Sequence, residues 1–117
     1  MSTHEARLPK EIPEKGFYYH YKHDPEGKVY NYAYEILGVG HHTEDDCRPE
    51  DEYMMAYRPL YEDALVYKLG KLFDLRPLGM WMGDVELKGK VVKRFTRITD
   101  PAVIAELVAR RIQMYGA

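Results

Sequence analysis

Between residues 16 and 37 aromatic side chains recur with a period of two, a spacing that suits an extended strand and not a helix. Phe17, Tyr19 and Tyr21 would share one face of a first strand, and Tyr18, His20 and Lys22 the other. Asp24-Pro25-Glu26-Gly27 follows, a turn by residue type, with proline presetting φ and glycine open to the left-handed position. A return strand over 28–37 would then line Tyr30, Tyr32, Tyr34 and Ile36 along one face. The plain reading of this ladder is cross-strand aromatic packing over a small barrel. A platform for stacking unpaired bases is the sharper alternative, and it lacks a basic groove beside it.

The remaining chain is read in the same terms. A loop over 45–51 precedes a strand over 52–57, which Arg58-Pro59-Leu60-Tyr61 breaks because proline donates nothing to a ladder. Apolar segments at 64–69 and 71–75 flank Gly70 as a hairpin or bulged strand. A tight turn then carries Met80, Trp81 and Met82 into the core, and 84–87 and 90–98 supply the last strands. Asp100-Pro101 opens a helix in the expected way, a capping carboxylate followed by a first-turn proline. The helix spans 101–115, with Ile104, Leu107, Val108, Ile112 and Tyr115 on one face and Gly116 at its end. With 117 residues there is material for one domain. The expectation is a mainly β fold, a small antiparallel SH3-like barrel over 16–117 with a C-terminal helix, preceded by a flexible arm at 1–15. The helix would lid one end of the barrel or pair with a second copy as a homodimer.

Eleven tyrosines, nine glycines and seven prolines agree with β-structure rich in turns. A net charge of −2 and a pI near 6.2 provide no global field to draw in nucleic acid. The charges are nevertheless sorted: acids crowd 44–52, and Lys88, Lys90, Lys93, Arg94 and Arg97 form a basic run near the end. Lys90, Lys93, Arg94 and Arg97 are the residues a nucleic-acid reading would use, although such a run is more often a solvated strand edge. The single cysteine, Cys47, cannot form an internal disulfide, and its acidic neighbours argue against a thiolate nucleophile. No apolar stretch suits a signal or a membrane span, so a soluble cytoplasmic protein is expected, with no membrane partner.

The densest polar chemistry is Leu37-Gly38-Val39-Gly40-His41-His42-Thr43-Glu44, and a second block is Leu75-Arg76-Pro77-Leu78-Gly79-Met80-Trp81. On a strand His41 and His42 face opposite ways, while His42 and Glu44 share a side. With His20 they would make a two-histidine, one-carboxylate metal site, but no Cys-x-x-Cys or His-Glu-x-x-His signature supports one, and no metal or cofactor is expected. The preferred reading is a binding module whose pocket, made by His20, His42, Glu44, Tyr57 and Arg76, takes a small anionic or polar ligand against Trp81. An acid-base hydrolase would instead use His42 as base, Glu44 to orient it and Arg76 to hold an oxyanion. A purely structural network, with Arg76 on Glu44 and His42 capping the glycine turn, is the bland alternative. Gly38-Val39-Gly40 lacks the third glycine and following helix of a dinucleotide loop.

The order of these motifs resembles a small bacterial family known as domain of unknown function 1653. The residues that carry the resemblance are Gly16, Tyr19, His20, Tyr21 and Lys22; Leu37, Gly38, His42, Thr43 and Glu44; Tyr57, Leu60 and Tyr61; Arg76, Pro77, Leu78, Met80 and Trp81; Arg94 and Phe95. The chain departs from the family pattern at Gly40, where alanine is usual, and at Phe73-Asp74-Leu75, where Trp-Val precedes Arg-Pro. The resemblance implies a compact β-rich fold and recurring polar residues, without a particular reaction.

Overall fold

The computed structural model describes residue 9 and residues 11–62 and 72–117. Its main element is a five-stranded sheet in the order β4-β3-β2-β1-β7, with every pairing antiparallel. The strands are β1 (Gly16–His20), β2 (Ala33–His41), β3 (Tyr53–Pro59), β4 (Asp74–Pro77) and β7 (Phe95–Arg97), and β5 (Asp84–Leu87) pairs with β6 (Lys90–Lys93) as a separate hairpin. A short helix α1 (Leu78–Trp81) follows β4, and α2 (Pro101–Tyr115) closes the chain. The expected antiparallel β fold with a C-terminal helix is therefore present. The described strands do not hydrogen-bond into the closed ring of an SH3-like barrel, because β4 and β7 remain the two edges of the sheet. Among the described residues no helix is long and apolar enough to cross a membrane.

The sheet buries both faces. On the front, Tyr18, Tyr34, Ile36, Met55, Tyr57 and Phe95 pack with Leu78 and Trp81 of α1. On the back, Phe17, Ala33, Leu60 and Ile98 pack with Leu107 of α2. Neighbouring residues such as Phe17 and Tyr18, or Ala33 and Tyr34, thus serve opposite layers, as the pleat requires. The helix begins and ends as read: Asp100 Oδ1 accepts from the Ala102 amide at 2.9 Å, and Gly116 takes the left-handed cap at φ 84°. Its apolar stripe turns onto the chain's own sheet, with Val103, Ile104, Val108 and Tyr115 packed there, and leaves Ile112 exposed.

Several boundaries differ from expectation for identifiable reasons. The return strand starts at Ala33, five positions late, because 28–32 form successive turns (Asn31 N to Lys28 O, 3.0 Å; Ala33 N to Tyr30 O, 3.1 Å) and Tyr32 sits at φ 50°. The Asp24–Gly27 turn is closed as expected, by the Gly27 amide donating to the Asp24 carbonyl at 3.0 Å. β3 runs on through Pro59, which pairs with Tyr34 at the strand's last position. Met80 is half exposed, since α1 turns Leu78 and Trp81 inward and the intervening residues outward. The expected final strand splits at Arg94, whose amide donates to Gly83 O and whose carbonyl accepts from Tyr21 N. Of the apolar segments expected around Gly70, 64–69 and Lys71 lie outside the described residues, as do 1–8 and Lys10 of the arm.

Candidate functional site

β2 carries the irregularity that decides which polar side chains meet. Its register with β3 steps from Ile36↔Tyr57 to Gly38↔Ala56, leaving Leu37 as an extra residue, and Gly38 adopts φ 154°. A one-residue bulge reverses the alternation beyond it. Strict alternation would place His42 on the same face as Tyr34 and Ile36. After the bulge that face carries Val39↔Met55 and His41↔Tyr53 instead. His41 accordingly packs beside the Tyr53 ring, 5.2 Å between centroids, and reaches the buried Glu52 carboxylate at 3.2 Å. His42 and Glu44 bond to one another locally, the Glu44 amide donating to His42 Nδ1 at 3.1 Å, and Glu44 is exposed.

The pocket expected from His20, His42, Glu44, Tyr57 and Arg76 therefore does not assemble as a unit. The His42 amide pairs with the Glu52 carbonyl, five positions from Tyr57 and about 16 Å away at the strand rise. His20, Tyr57 and Arg76 do come together on the front face, and Trp81 lies in the core beneath them. Arg76 Nε donates to Tyr57 Oη at 3.2 Å. The Tyr57 ring meets Phe95 and Tyr34 edge-on at 5.7 and 5.4 Å. His20 meets Phe95 edge-on at 5.2 Å and stacks on Tyr32 at 5.6 Å. Trp81, 2% exposed, stacks flat on Phe95 at 4.5 Å and so supports the ring layer from within.

The electrostatics of this face are one-sided around His20. Burial first, then Arg76, Lys22 and Arg94, lower its pKa from 6.5 to about 4. At neutral pH the ring is uncharged. The Lys22 amide donates to His20 Nδ1 at 3.2 Å, which places the ring proton on Nε2 and makes that nitrogen a hydrogen-bond donor. Beside it the Tyr34 and Tyr61 hydroxyls hydrogen-bond to each other, and burial followed by that bond pushes the Tyr34 hydroxyl far up from its ordinary value, with Asp74 adding to the push. The face thus presents a neutral imidazole N–H, phenol hydroxyls, guanidinium groups and the Asp74 carboxylate within a ring-lined layer.

Tyr34, Tyr61, Asp74 and Arg94 belong to this arrangement; the sequence reading places none of them in the pocket and gives Arg94 a role only as a nucleic-acid contact. A signal existed for two of them, because Tyr61 and Arg94 are among the positions that carry the family resemblance. The basic run does not form one strip: Lys93 pairs with Asp84 at 3.4 Å, Arg97 with Glu14 at 3.5 Å, and Arg94 donates to the Met80 carbonyl. Among the described residues no three His, Cys, Asp or Glu side chains group as metal ligands would.

Fold and site together define a small antiparallel-sheet protein with one helix behind the sheet and an aromatic, cation-rich face in front. The chain belongs to the family described as Protein of unknown function (DUF1653), whose pattern matches residues 16–97, from the first strand to the end of β7. The match stops short of α2. No curated protein and no solved structure matches the chain.

Proposed function

We propose that the chain is a binding module and that the front face around His20, Tyr57 and Arg76 takes a small anion, a carboxylate or a phosphate. The observation that carries this reading is the charge pattern at His20. Arg76, Lys22 and Arg94 all act on a partly buried imidazole, and none of the described groups acting on it is acidic. Three cations around one imidazole favour an anionic guest, with Asp74, which acts on Tyr34, offsetting part of their charge. The guest would accept from His20 Nε2 and from the guanidinium of Arg76, with the tyrosine rings as walls. His42 and Glu44 stand apart from this face, which weakens the hydrolase reading that relied on His42 and Arg76 acting together.

Titration calorimetry with inorganic phosphate and with citrate tests the proposal. Arg76→Met is expected to weaken binding at least about tenfold, the scale of losing one charge-assisted bidentate contact. Arg76→Lys, which keeps the charge but not the fork, should fall between the two. His42→Ala should bind like the wild type and melt within about 0.5 kcal/mol of it. Equal affinity in Arg76→Met and the wild type, or no binding by the wild type, would remove the reading.

A further inference from the structure

One ring of the front face is set apart from the rest. Tyr32 is 38% exposed, whereas Tyr34, Tyr57 and Phe95 of the same layer are buried. Its backbone sits at φ 50°, a left-handed conformation uncommon for an aromatic residue. Main-chain bonds fix it there: the His20 amide donates to the Tyr32 carbonyl at 2.9 Å, and the flanking turns close from Asn31 to Lys28 and from Ala33 to Tyr30. The His20 ring lies nearly parallel to the Tyr32 ring, 5.6 Å between centroids and 27° between planes, and Tyr61 tilts against it at 5.7 Å. A strained conformation that gains so little burial is accounted for by what the ring presents to solvent, not by what it packs against.

We infer that this face takes a nucleotide, its phosphate on Arg76 and His20 and its base stacked on Tyr32, a reading that rests on the anion site proposed above and adds the base. One flat side of Tyr32 is on His20, so a base laid on its exposed side extends a stack that already exists. Cations reach the same place from three parts of the chain. Lys22, just after β1, has its amide on His20 Nδ1 and its ammonium 6.0 Å from the centre of the Tyr21 ring. Arg76 of β4 donates to Tyr57 Oη, and Arg94, just before β7, accepts from the Tyr21 amide through its carbonyl. Phe95 contacts both His20 and Tyr57, at 5.2 and 5.7 Å, so a single ring separates the exposed stack from the phenol that Arg76 holds. Asp74 acts within this layer, on Tyr34, and against three cations it leaves the described groups positive in sum. An exposed ring flanked by cations is the arrangement by which proteins hold unpaired nucleotides. The tyrosine ladder alone has no basic groove beside it; the fold brings one there from residues far apart in sequence.

Calorimetry on the full-length protein would compare adenosine monophosphate with ribose 5-phosphate, which carries the sugar and phosphate without the base. The nucleotide is expected to bind at least about fivefold more tightly, the scale of one base on one ring, and that ratio should fall to near one in Tyr32→Asn. Asparagine tolerates the left-handed conformation, so the variant removes the ring without adding backbone strain. In the wild type the Tyr32 ring protons should also move upfield in NMR spectra with adenosine monophosphate and not with ribose 5-phosphate, which gives the same answer without a substitution. A short oligoadenylate separates the two sources of the nucleotide: tighter binding with a steeper salt dependence assigns it to a strand, equal or weaker binding to the free monophosphate, and either upholds the inference. Equal affinity of the wild type for adenosine monophosphate and ribose 5-phosphate would overturn it while leaving the anion site standing. A preference for the nucleotide that survives in Tyr32→Asn would also overturn it, and binding of neither compound would remove both readings.

Discussion

Leu107→Ala is expected to destabilise the protein by about 2–5 kcal/mol, the cost of removing a fully enclosed leucine and leaving a cavity. Leu107 is completely buried against Phe17, Ala33, Leu60 and Ile98, and so joins α2 to β1, to β2 and to the residues that follow β3 and β7. Ile112→Ala is the matched control, since Ile112 is 52% exposed on the same helix and should change stability by no more than about 0.5 kcal/mol. Chemical denaturation of the two variants decides the matter. Equal midpoints for Leu107→Ala and the wild type would mean that α2 is an appendage and not a layer of the fold, even though it lies outside residues 16–97.

Glu35→Ala should destabilise by about 2–4 kcal/mol, because it strands two cations that share one carboxylate. Glu35 Oε1 accepts from Arg58 at 3.0 Å and Oε2 from Arg111 at 2.7 Å, all three side chains being largely withdrawn from water. The Arg58 guanidinium also lies 4.1 Å from the centre of the Tyr115 ring, whose hydroxyl donates to the Pro59 carbonyl at 2.6 Å. The group welds β2, β3 and α2 behind the sheet. Glu35→Gln keeps the shape and one acceptor and should cost about half as much. The loss should persist at high salt, because a pair shielded from solvent is screened little. A loss that disappears in 1 M salt would indicate an exposed and dispensable contact.

The C-terminal helix was readable to the residue from Asp100, Pro101 and Gly116, since capping is local chemistry and its residues announce themselves. Alternation of Phe17 with Tyr18 and of Tyr34 with its neighbours likewise predicts strands, whereas the covering of both sheet faces is seen only in the structure. The site was legible in part. His20, Tyr57 and Arg76 were chosen by residue type, and the pairing of β3 with both β2 and β4 brings Tyr57 and Arg76 into contact. His42 and Glu44 are grouped with them by residue type alone, and the extra residue at Leu37 turns His42 off the face that carries Tyr34 and Ile36. Gly38 was the available clue, as a glycine inside a strand marks a bulge. Trp81 lies in the core as the turn at 80–82 implies, but a four-residue helix stands in place of that turn and leaves Met80 outside. No local pattern encodes the Tyr34–Tyr61 contact, which spans 27 positions.

The depressed pKa of His20 also predicts how stability responds to acid. The folded value of about 4 is below the 6.5 of a free imidazole, so the unfolded chain takes up the proton first as pH falls. The His20 contribution is complete above pH 6.5, is lost progressively towards pH 4 and changes no further below it. A bound anion should oppose this by stabilising the charged ring.

The most direct test of the account is an NMR titration of the His20 ring between pH 3 and 8, in the absence and presence of phosphate, with the pH range set by that shift. The account predicts a midpoint near 4 for the free protein, shifted upward when phosphate is present, with the shift abolished in Arg76→Met. A midpoint near 6.5 that ignores phosphate would contradict it, and the front face would then have no claim to be an anion site.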